Sequence, residues 1–430
     1  SEQNSNTSII NLSGTQLRAL ISKEYVHVEE PKSYDEALTR PDAEFWVRAT
    51  HEELESWREL GVYEKIHPSK IPRDAEIIDS KTVYKLKLDK NGNPARWKCR
   101  IVARGFQESD PGETFAPTAS AIVIRLIVAL AVKHGWKLRQ ADVKTAYLNA
   151  TLPNPVYLRP PKGLEEPDGS YYILRKATYG LGASGRLWWQ LFAEQNRNFG
   201  MEALTDDDTA WIVTRKKANG QKSTLIIAVV VDDCLMATDD EELRQEWLAF
   251  MREHFQVSDD GDLEWFLGVN FERQQDGDII AKQSAYIKRV LQRFKMDQAS
   301  PKGTPMETTF AVDPEELPQT PSTEDLAEFR SILGCLIYAS IWCYPEISYA
   351  VNYLARFAAT PNKKLIKAAK RVLRYLKGVS DSGIVFSKRH RFDVGLDSLT
   401  VFADTSDADC TITSKSTGGY IIYLLSLIHI

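Results

Sequence analysis

The chain has little cysteine. Its five, Cys99, Cys234, Cys335, Cys343 and Cys410, are scattered through 430 residues without Cys-x-x-Cys spacing. That excludes a zinc-knuckle pattern and a disulfide framework, and it fits a reducing compartment. No apolar run reaches the roughly 18 residues of a membrane span. No charged segment followed by an apolar one opens the chain, so its start does not read as a signal peptide. With Ser1 and the polar tract "SEQNSNTS" in front, it reads as cut from something longer. Solenoid-type repeats are missing too. There is also no overall excess of positive charge: the net charge is −5 and the pI about 5.9. Taken alone, that argues against a nucleic-acid partner.

What is present changes that reading. The length suggests about two to four domains, and a hydrophobic fraction of 43% can fill their cores. Positive charge is concentrated in two stripes. Lys81, Lys85, Lys87, Lys90, Arg96, Lys98, Arg100 and Arg104 share their stretch with one acid, Asp89. Lys363, Lys364, Lys367, Lys370, Arg371, Arg374 and Lys377 share theirs with none. Each stripe reads either as a phosphate-following surface or as a solvated face.

Periodicity and turn signals predict a helix over Ala43–Gly61 and a basic hairpin around "DKNGNP". They also predict a buried helix over Ser120–Gly135, a hairpin over Thr224–Ala237 and a capped amphipathic helix in "TDDEELRQEWLAFMREHF". The second half is more helical and follows a proline-rich stretch that reads as an interdomain linker.

Three carboxylates carry candidate chemistry. Asp142 ends a predicted strand, and Asp232 and Asp233 sit at the tip of a predicted hairpin. Such a set can hold two divalent ions about 3.5–4 Å apart. Oxygen ligands suit magnesium. Without a metal the carboxylates would raise one another's pKa. The plain alternative is a solvated acidic turn.

The motifs occur in a recognisable order. "RWKCRIVARGFQE", "ETFAPTAS", "WKLRQADVKTAYLNATL", "VYLRPPKG", "RKATYGLGASGRLWW", "VVVDDCL" and "FLGVNFER" are followed by "FRSILGCLIYAS", "YPEISYAVNYLARF" and "AAKRVLRYLKG". The series resembles the reverse transcriptase of copia-type LTR retrotransposons, part of a Pol polyprotein, from about Glu30 to Tyr423. The resemblance implies an α+β fold: a right-hand polymerase with fingers, palm and thumb, then a helical connection and a partial RNase H-like α/β start. It implies a tail of an upstream module at 1–25, a helical lead-in at 26–75 and fingers and palm at 76–300. It further implies a linker at 301–325, thumb and connection helices at 326–397 and a truncated RNase H start at 398–424.

The implied activity is RNA- and DNA-templated DNA synthesis by two-metal phosphoryl transfer, with two Mg2+ ions or Mn2+ as a substitute. The implied partners are an RNA template, a DNA primer/template, dNTPs and the polyprotein's protease, integrase and RNase H remainder, with no membrane. The implied location is intracellular and cytoplasmic, in a virus-like particle. Asp142, Asp232 and Asp233 become the catalytic metal ligands. Lys98 and Arg100 become contacts for the triphosphate, and Tyr147 the residue under the incoming sugar, with a packed core aromatic as its alternative. Gly180 would admit the template–nucleotide pair, or is an ordinary helix-start glycine. Trp188 and Trp189 read as core rather than as base-stacking residues.

Departures from the family motivate a second reading, a catalytically inactive retroelement fragment that at most binds nucleic acid. Val230 replaces a tyrosine, Tyr344 an arginine, and Gly182 and Gly185 a lysine and a proline, the last two predicting a more flexible loop. Asp404 would be the first metal carboxylate of the RNase H remnant, for which no RNase H activity is expected. The tail Leu425–Ile430, "LSLIHI", does not resemble family sequence. One frame of a transposase end used in sequencing libraries, CTGTCTCTTATACACATC, translates to it, so the tail reads as adapter read-through or a chance apolar end.

Overall fold

A computed structural model describes residues 30–88, 94–388, 399–407, 415–424 and 427–429. The chain divides into two compact units, Ser1–Pro117 with Lys144–Asn198, and Thr118–Val143 with Phe199–Ile430. The polypeptide therefore passes from the first unit to the second, returns, and leaves again.

The first unit opens with α1 (Tyr34–Leu38) and α2 (Ala43–Glu59). Strands β1 (Tyr63–Ile66), β2 (Ile77–Ile78), β3 (Ser80–Leu88) and β4 (Pro94–Ala103) follow. The last two form the expected basic hairpin. Strand alternation turns Thr82, Tyr84, Trp97, Cys99 and Ile101 inward and leaves Lys81, Lys85, Lys87, Arg96 and Arg100 exposed. Helix α2 closes the inner face: Phe45 stacks on Trp97 at 4.3 Å, and Trp46 meets Tyr84 edge-on at 5.4 Å.

The chain then enters the second unit through α3 (Ala121–His134), the expected buried helix. The Ser120 side chain accepts from the Val123 N–H at its start, and Gly135, at φ 70, ends it in the left-handed conformation that glycine adopts freely. Strand β5 (Lys137–Val143) runs back from that turn. The return to the first unit brings α4 (Ala146–Asn149), β6 (Thr151–Leu158), β7 (Tyr171–Lys176) and α5 (Ser184–Phe199). There β1-β7-β6-β2 make a four-stranded sheet over a core that includes Trp57, Leu148, Tyr172 and Leu174.

The second unit resumes with β8 (Glu202–Ala203), β9 (Ala210–Lys216), β10 (Lys222–Val230), β11 (Asp233–Thr238), α6 (Glu241–His254) and β12 (Val257–Asp262). With β5 the strands form an antiparallel sheet in the order β12-β5-β11-β10-β9-β8. Leu138, Ala228, Leu235 and Ala237 on one face share a core with Ile124, Ile127 and Val128 of α3. Helix α6, capped by the Asp240 side chain on the Glu242 N–H, packs on β10 and β12.

A smaller sheet of β13 (Trp265–Phe266), β14 (Val269–Arg273), β15 (Ile279–Lys282) and β16 (Gly383–Phe386) encloses a helical insertion. Its helices are α7 (Ser284–Arg293), α8 (Thr323–Trp342), α9 (Ser348–Ala355) and α10 (Lys363–Gly378). Arg125 of α3 donates to the Ile341 and Trp342 carbonyls at the end of α8, the latter at 2.9 Å. A cation suits that helix end, whose carbonyls lack partners of their own. Tyr344 is fully buried and donates to the Ser380 carbonyl at 2.8 Å, so the position that departs from the family is a core position here.

Helix α10 carries the second basic stripe, and most of its cations are engaged within the unit. Lys363 pairs with Asp325, Lys364 with Glu316, Lys370 with Glu328 and Arg371 with Glu307. Arg374 donates to the Ser300 carbonyl, and Lys377 to those of Asp297 and Ala299. Part of the proline-rich segment is thereby laid along the helix. Finally β17 (Leu399–Thr405), β18 (Gly418–Leu424) and β19 (Leu427–His429) form a three-stranded sheet. The mixture of antiparallel sheets and segregated helices is the expected α+β class.

Candidate active site

The strand end of the six-stranded sheet assembles the three aspartates. In the β10–β11 hairpin Val230 pairs with Asp233, which leaves Val231 and Asp232 as a two-residue turn. Val231 has φ 60. A β-branched residue in the left-handed region costs about 1–2 kcal/mol, and such strain persists only where its surroundings impose it. One restraint is visible: the Asp232 carbonyl accepts the Val143 N–H at 2.9 Å, tying the turn to the end of β5.

Strand β11 also pairs with β5 in a register that sets Asp233 opposite Asp142. Residues directly opposite in an antiparallel pair share a face, with Cβ atoms about 4.5–5.5 Å apart. All three aspartates are half-buried.

The other flank of β5 adds a residue that the sequence reading missed. Ser258 of β12 stands opposite Asp142. Its hydroxyl donates to Asp260 Oδ1 at 2.8 Å and lies 3.3 Å from the Asp142 carbonyl oxygen. Burial pushes the Cys234 thiol well above its ordinary pKa, and the charges of Asp233, Asp142, Asp232 and Asp260 push it further. Four carboxylates thus act on the buried thiol from this strand end. Nothing local marks Asp260 in "SDDGD"; only the sheet brings it near the others.

The oxygen-only donor set fits a hard divalent cation, which keeps waters and takes substrate phosphates as ligands. Among the described residues, no group of three or more His, Cys, Asp or Glu side chains is disposed as a metal cage. The three aspartates share one strand end without being gathered as a three-ligand site. Val230, next to them, is half-buried against the main core of the unit.

In the first unit, three of the four expected nucleotide-contacting residues meet around a fourth that was not singled out, Tyr179. The Arg100 guanidinium lies 4.9 Å above the Tyr179 ring, and the Tyr147 ring lies 5.2 Å from it. Gly180 is the next residue in the chain. Lys98 lies two residues before Arg100 on the same strand. Glu53 is raised by burial and pulled back by the Ile101 N–H, by Trp57, and by the charges of Arg100 and Lys98. Tyr179 lies inside a family motif, but nothing local marks it. Its partners come from β4 and α4.

Gly180 has φ 94, and a Cβ there would meet the Ala103 carbonyl oxygen at 2.1 Å. The Ala103 N–H donates to the Tyr179 carbonyl at 2.8 Å. The end of β4 therefore approaches Gly180 as closely as only a residue without a Cβ allows.

The flexible loop expected from Gly182 and Gly185 is corrected by the same packing. A Cβ on Gly182 would stand 2.7 Å from Pro111 Cβ, and one on Gly185 would stand 3.1 Å from Ala116 Cβ. The Gly182 N–H also donates to Glu108 Oε2 at 3.0 Å. These glycines are notches for the 103–116 segment. Trp188 is buried on Phe192, and Trp189 lies under the Arg186 guanidinium, in keeping with packing roles. Asp404 is exposed on β17 opposite Gly419, and its carboxylate accepts the Thr405 N–H.

The family profile "Reverse transcriptase (RNA-dependent DNA polymerase)" matches residues 63–308, more than half of the chain. The chain belongs to the reverse transcriptase family. It is 32% identical over 400 residues to the "Retrovirus-related Pol polyprotein from transposon RE1" of Arabidopsis thaliana, covering 92% of this chain and 26% of that protein. It is 29% identical over 412 residues to the polyprotein from transposon TNT 1-94 of Nicotiana tabacum, covering 93% of this chain and 30% of that one. The chain thus spans under a third of the length of these Pol polyprotein relatives. Among solved structures, it is similar to a foamy viral protease-reverse transcriptase in complex with double-stranded DNA, at 13% identity and a TM-score of 0.44. That match covers 89% of this chain and 55% of the other.

Proposed function

We propose that the chain is an RNA- and DNA-templated DNA polymerase that joins a primer 3′-hydroxyl to the α-phosphate of a dNTP. The observation that carries this reading is the register of Asp142 opposite Asp233, with Asp232 on a strained turn beside them, inside the region matched to the family. Asp142, Asp232 and Asp233 would hold two Mg2+ ions. Bound there, the ions would acidify the primer hydroxyl and stabilise the departing pyrophosphate. The protein's part is to fix the carboxylates: strand pairing sets Asp142 against Asp233, and the Val143–Asp232 hydrogen bond holds the turn.

In the first unit, Arg100 and Lys98 supply fixed positive charge for a triphosphate. Tyr147, braced by Tyr179, presents a ring suited to excluding a ribose 2′-hydroxyl. The partners proposed are an RNA or DNA template, a DNA primer and dNTPs, in the setting of a longer polyprotein.

The packed glycine notches remove one motive for the inactive-fragment reading, because those departures fit their neighbours. Primer extension on poly(rA)/oligo(dT) with Mg2+ tests the proposal. The chain should incorporate dTMP, and the variant carrying Asp232→Asn and Asp233→Asn should fall at least about a hundredfold. Equal background incorporation by both would leave only a nucleic-acid-binding fragment.

A further inference from the structure

Between helix α10 and the segment around residues 296–310, the second unit forms a half-open cleft of about 620 Å³. Six cations line it against one carboxylate, Glu307. None of its lining residues belongs to the aspartate cluster, so a ligand held there is independent of the polymerase reading.

Three of the cations are poised for a ligand. Lys302 and Lys367 have no ion-pair or side-chain hydrogen-bond partner among the described residues. Arg371 uses one terminal nitrogen on Glu307 at 2.8 Å and the other on Thr304 Oγ1 at 3.0 Å, while its buried Nε has no partner. That Nε is sealed from the cleft, so a ligand would meet Arg371 through its terminal nitrogens. The Glu307 side chain is 60% exposed, so its pair with Arg371 is screened by solvent and yields to a dianion.

The rest of the wall is not built for a simple ion. Met306 and Phe310 contribute an apolar surface, and methionine adapts to the flat face of a ring. The volume falls in the range of small-ligand sites and is too small for a duplex. Charge asks for a phosphate, the apolar wall asks for a ring, and the size asks for one of each.

We propose that this cleft binds a nucleoside 5′-phosphate, with the phosphate on Lys302, Lys367 and Arg371 and the base against Met306 and Phe310. A free nucleotide and the 5′-phosphorylated end of a strand present the same chemistry.

The test uses the full chain carrying Asp232→Asn and Asp233→Asn, in EDTA, so that metal-dependent binding at the aspartates makes no contribution. The probes are dAMP and inorganic phosphate by calorimetry, and a short single strand with or without a 5′-phosphate by fluorescence anisotropy. The expected result is that dAMP binds more tightly than phosphate and that Met306→Ala narrows the gap. Lys302→Gln with Lys367→Gln should weaken dAMP about tenfold or more, while Lys302→Arg with Lys367→Arg retains binding. A 5′-phosphorylated strand that outbinds its 5′-hydroxyl twin and competes with dAMP identifies a strand end as the source. Twins of equal affinity, with dAMP bound, identify the free nucleotide. Binding of dAMP no tighter than that of phosphate, or unchanged by the glutamine pair, overturns the proposal.

Discussion

The two basic stripes look alike in the sequence and are opposites in the structure. On the β3–β4 hairpin, like charges face each other: Lys85 stands opposite Lys98, and Lys87 opposite Arg96. Directly opposed like charges destabilise a sheet. Lys85 has an acidic partner, Glu30 at 2.7 Å, but Lys87 and Arg96 have none among the described residues. On α10 the cations are tied to Asp325, Glu316, Glu328, Glu307 and a row of carbonyls. The hairpin holds unneutralised charge outward because aromatic packing secures it from behind. The helix spends most of its charge on its own neighbours. A charge count therefore does not measure a surface available to phosphate; the partners do.

The largest effect should come from removing what stands behind the hairpin. Trp97→Ala strips the stack on Phe45 and should cost about 3–5 kcal/mol, read from urea unfolding. Glu328→Gln, which breaks one ion pair on the helix, should cost no more than about 1 kcal/mol. If the helix variant were the worse of the two, the contrast would be reversed.

Next in size is Gly182→Lys, which restores the family residue. The new Cβ would press on Pro111 in the segment that continues from β4, at about 1–3 kcal/mol. Gly303→Ala, where nothing lies within 4 Å of a new Cβ, should be near neutral. A neutral Gly182→Lys would mean that the notch is not closed in solution.

Binding sharpens the contrast directly. Lys87→Gln with Arg96→Gln should weaken single-stranded RNA binding about tenfold and lower the salt slope by roughly 0.7 per cation. Lys363→Gln with Lys377→Gln should leave the slope nearly unchanged. Equal losses would make both stripes phosphate surfaces.

The smallest effect concerns pH. The hydrogen bond to Asp325 raises the Lys363 ammonium above its ordinary value. Its contribution is complete below the unfolded lysine range, near pH 10.5, and is lost as pH rises through the higher folded value. Lys363→Gln should remove that small alkaline loss from the unfolding profile, and an unchanged profile would deny the tie to Asp325.

Much of the fold was legible because its causes are local. The Ser120 cap and Gly135 stop bound α3 as expected, and the alternation of "KTVYKLK" against "RWKCRIV" made a two-faced hairpin. The Asp232–Asp233 tip was legible for the same reason. Tyr179, Ser258 and Asp260 were not, because each acquires its role from a strand or helix far away in the chain. The departure at Val230 also takes on a different weight: the strained residue is its neighbour Val231, whose φ no local pattern announces.

By itself the sequence determined the family, the principal elements and the position of Asp232 and Asp233 at a hairpin tip. These depend on residue type, spacing and hydrogen bonds within a few positions. The tertiary structure alone decided that Asp142 stands opposite Asp233, that Gly180 and Gly182 are closely approached by other parts of the chain, and which cations are paired within their unit. Those outcomes depend on register and on long-range partners, and a charge or a glycine has no fixed meaning until its neighbours in space are known.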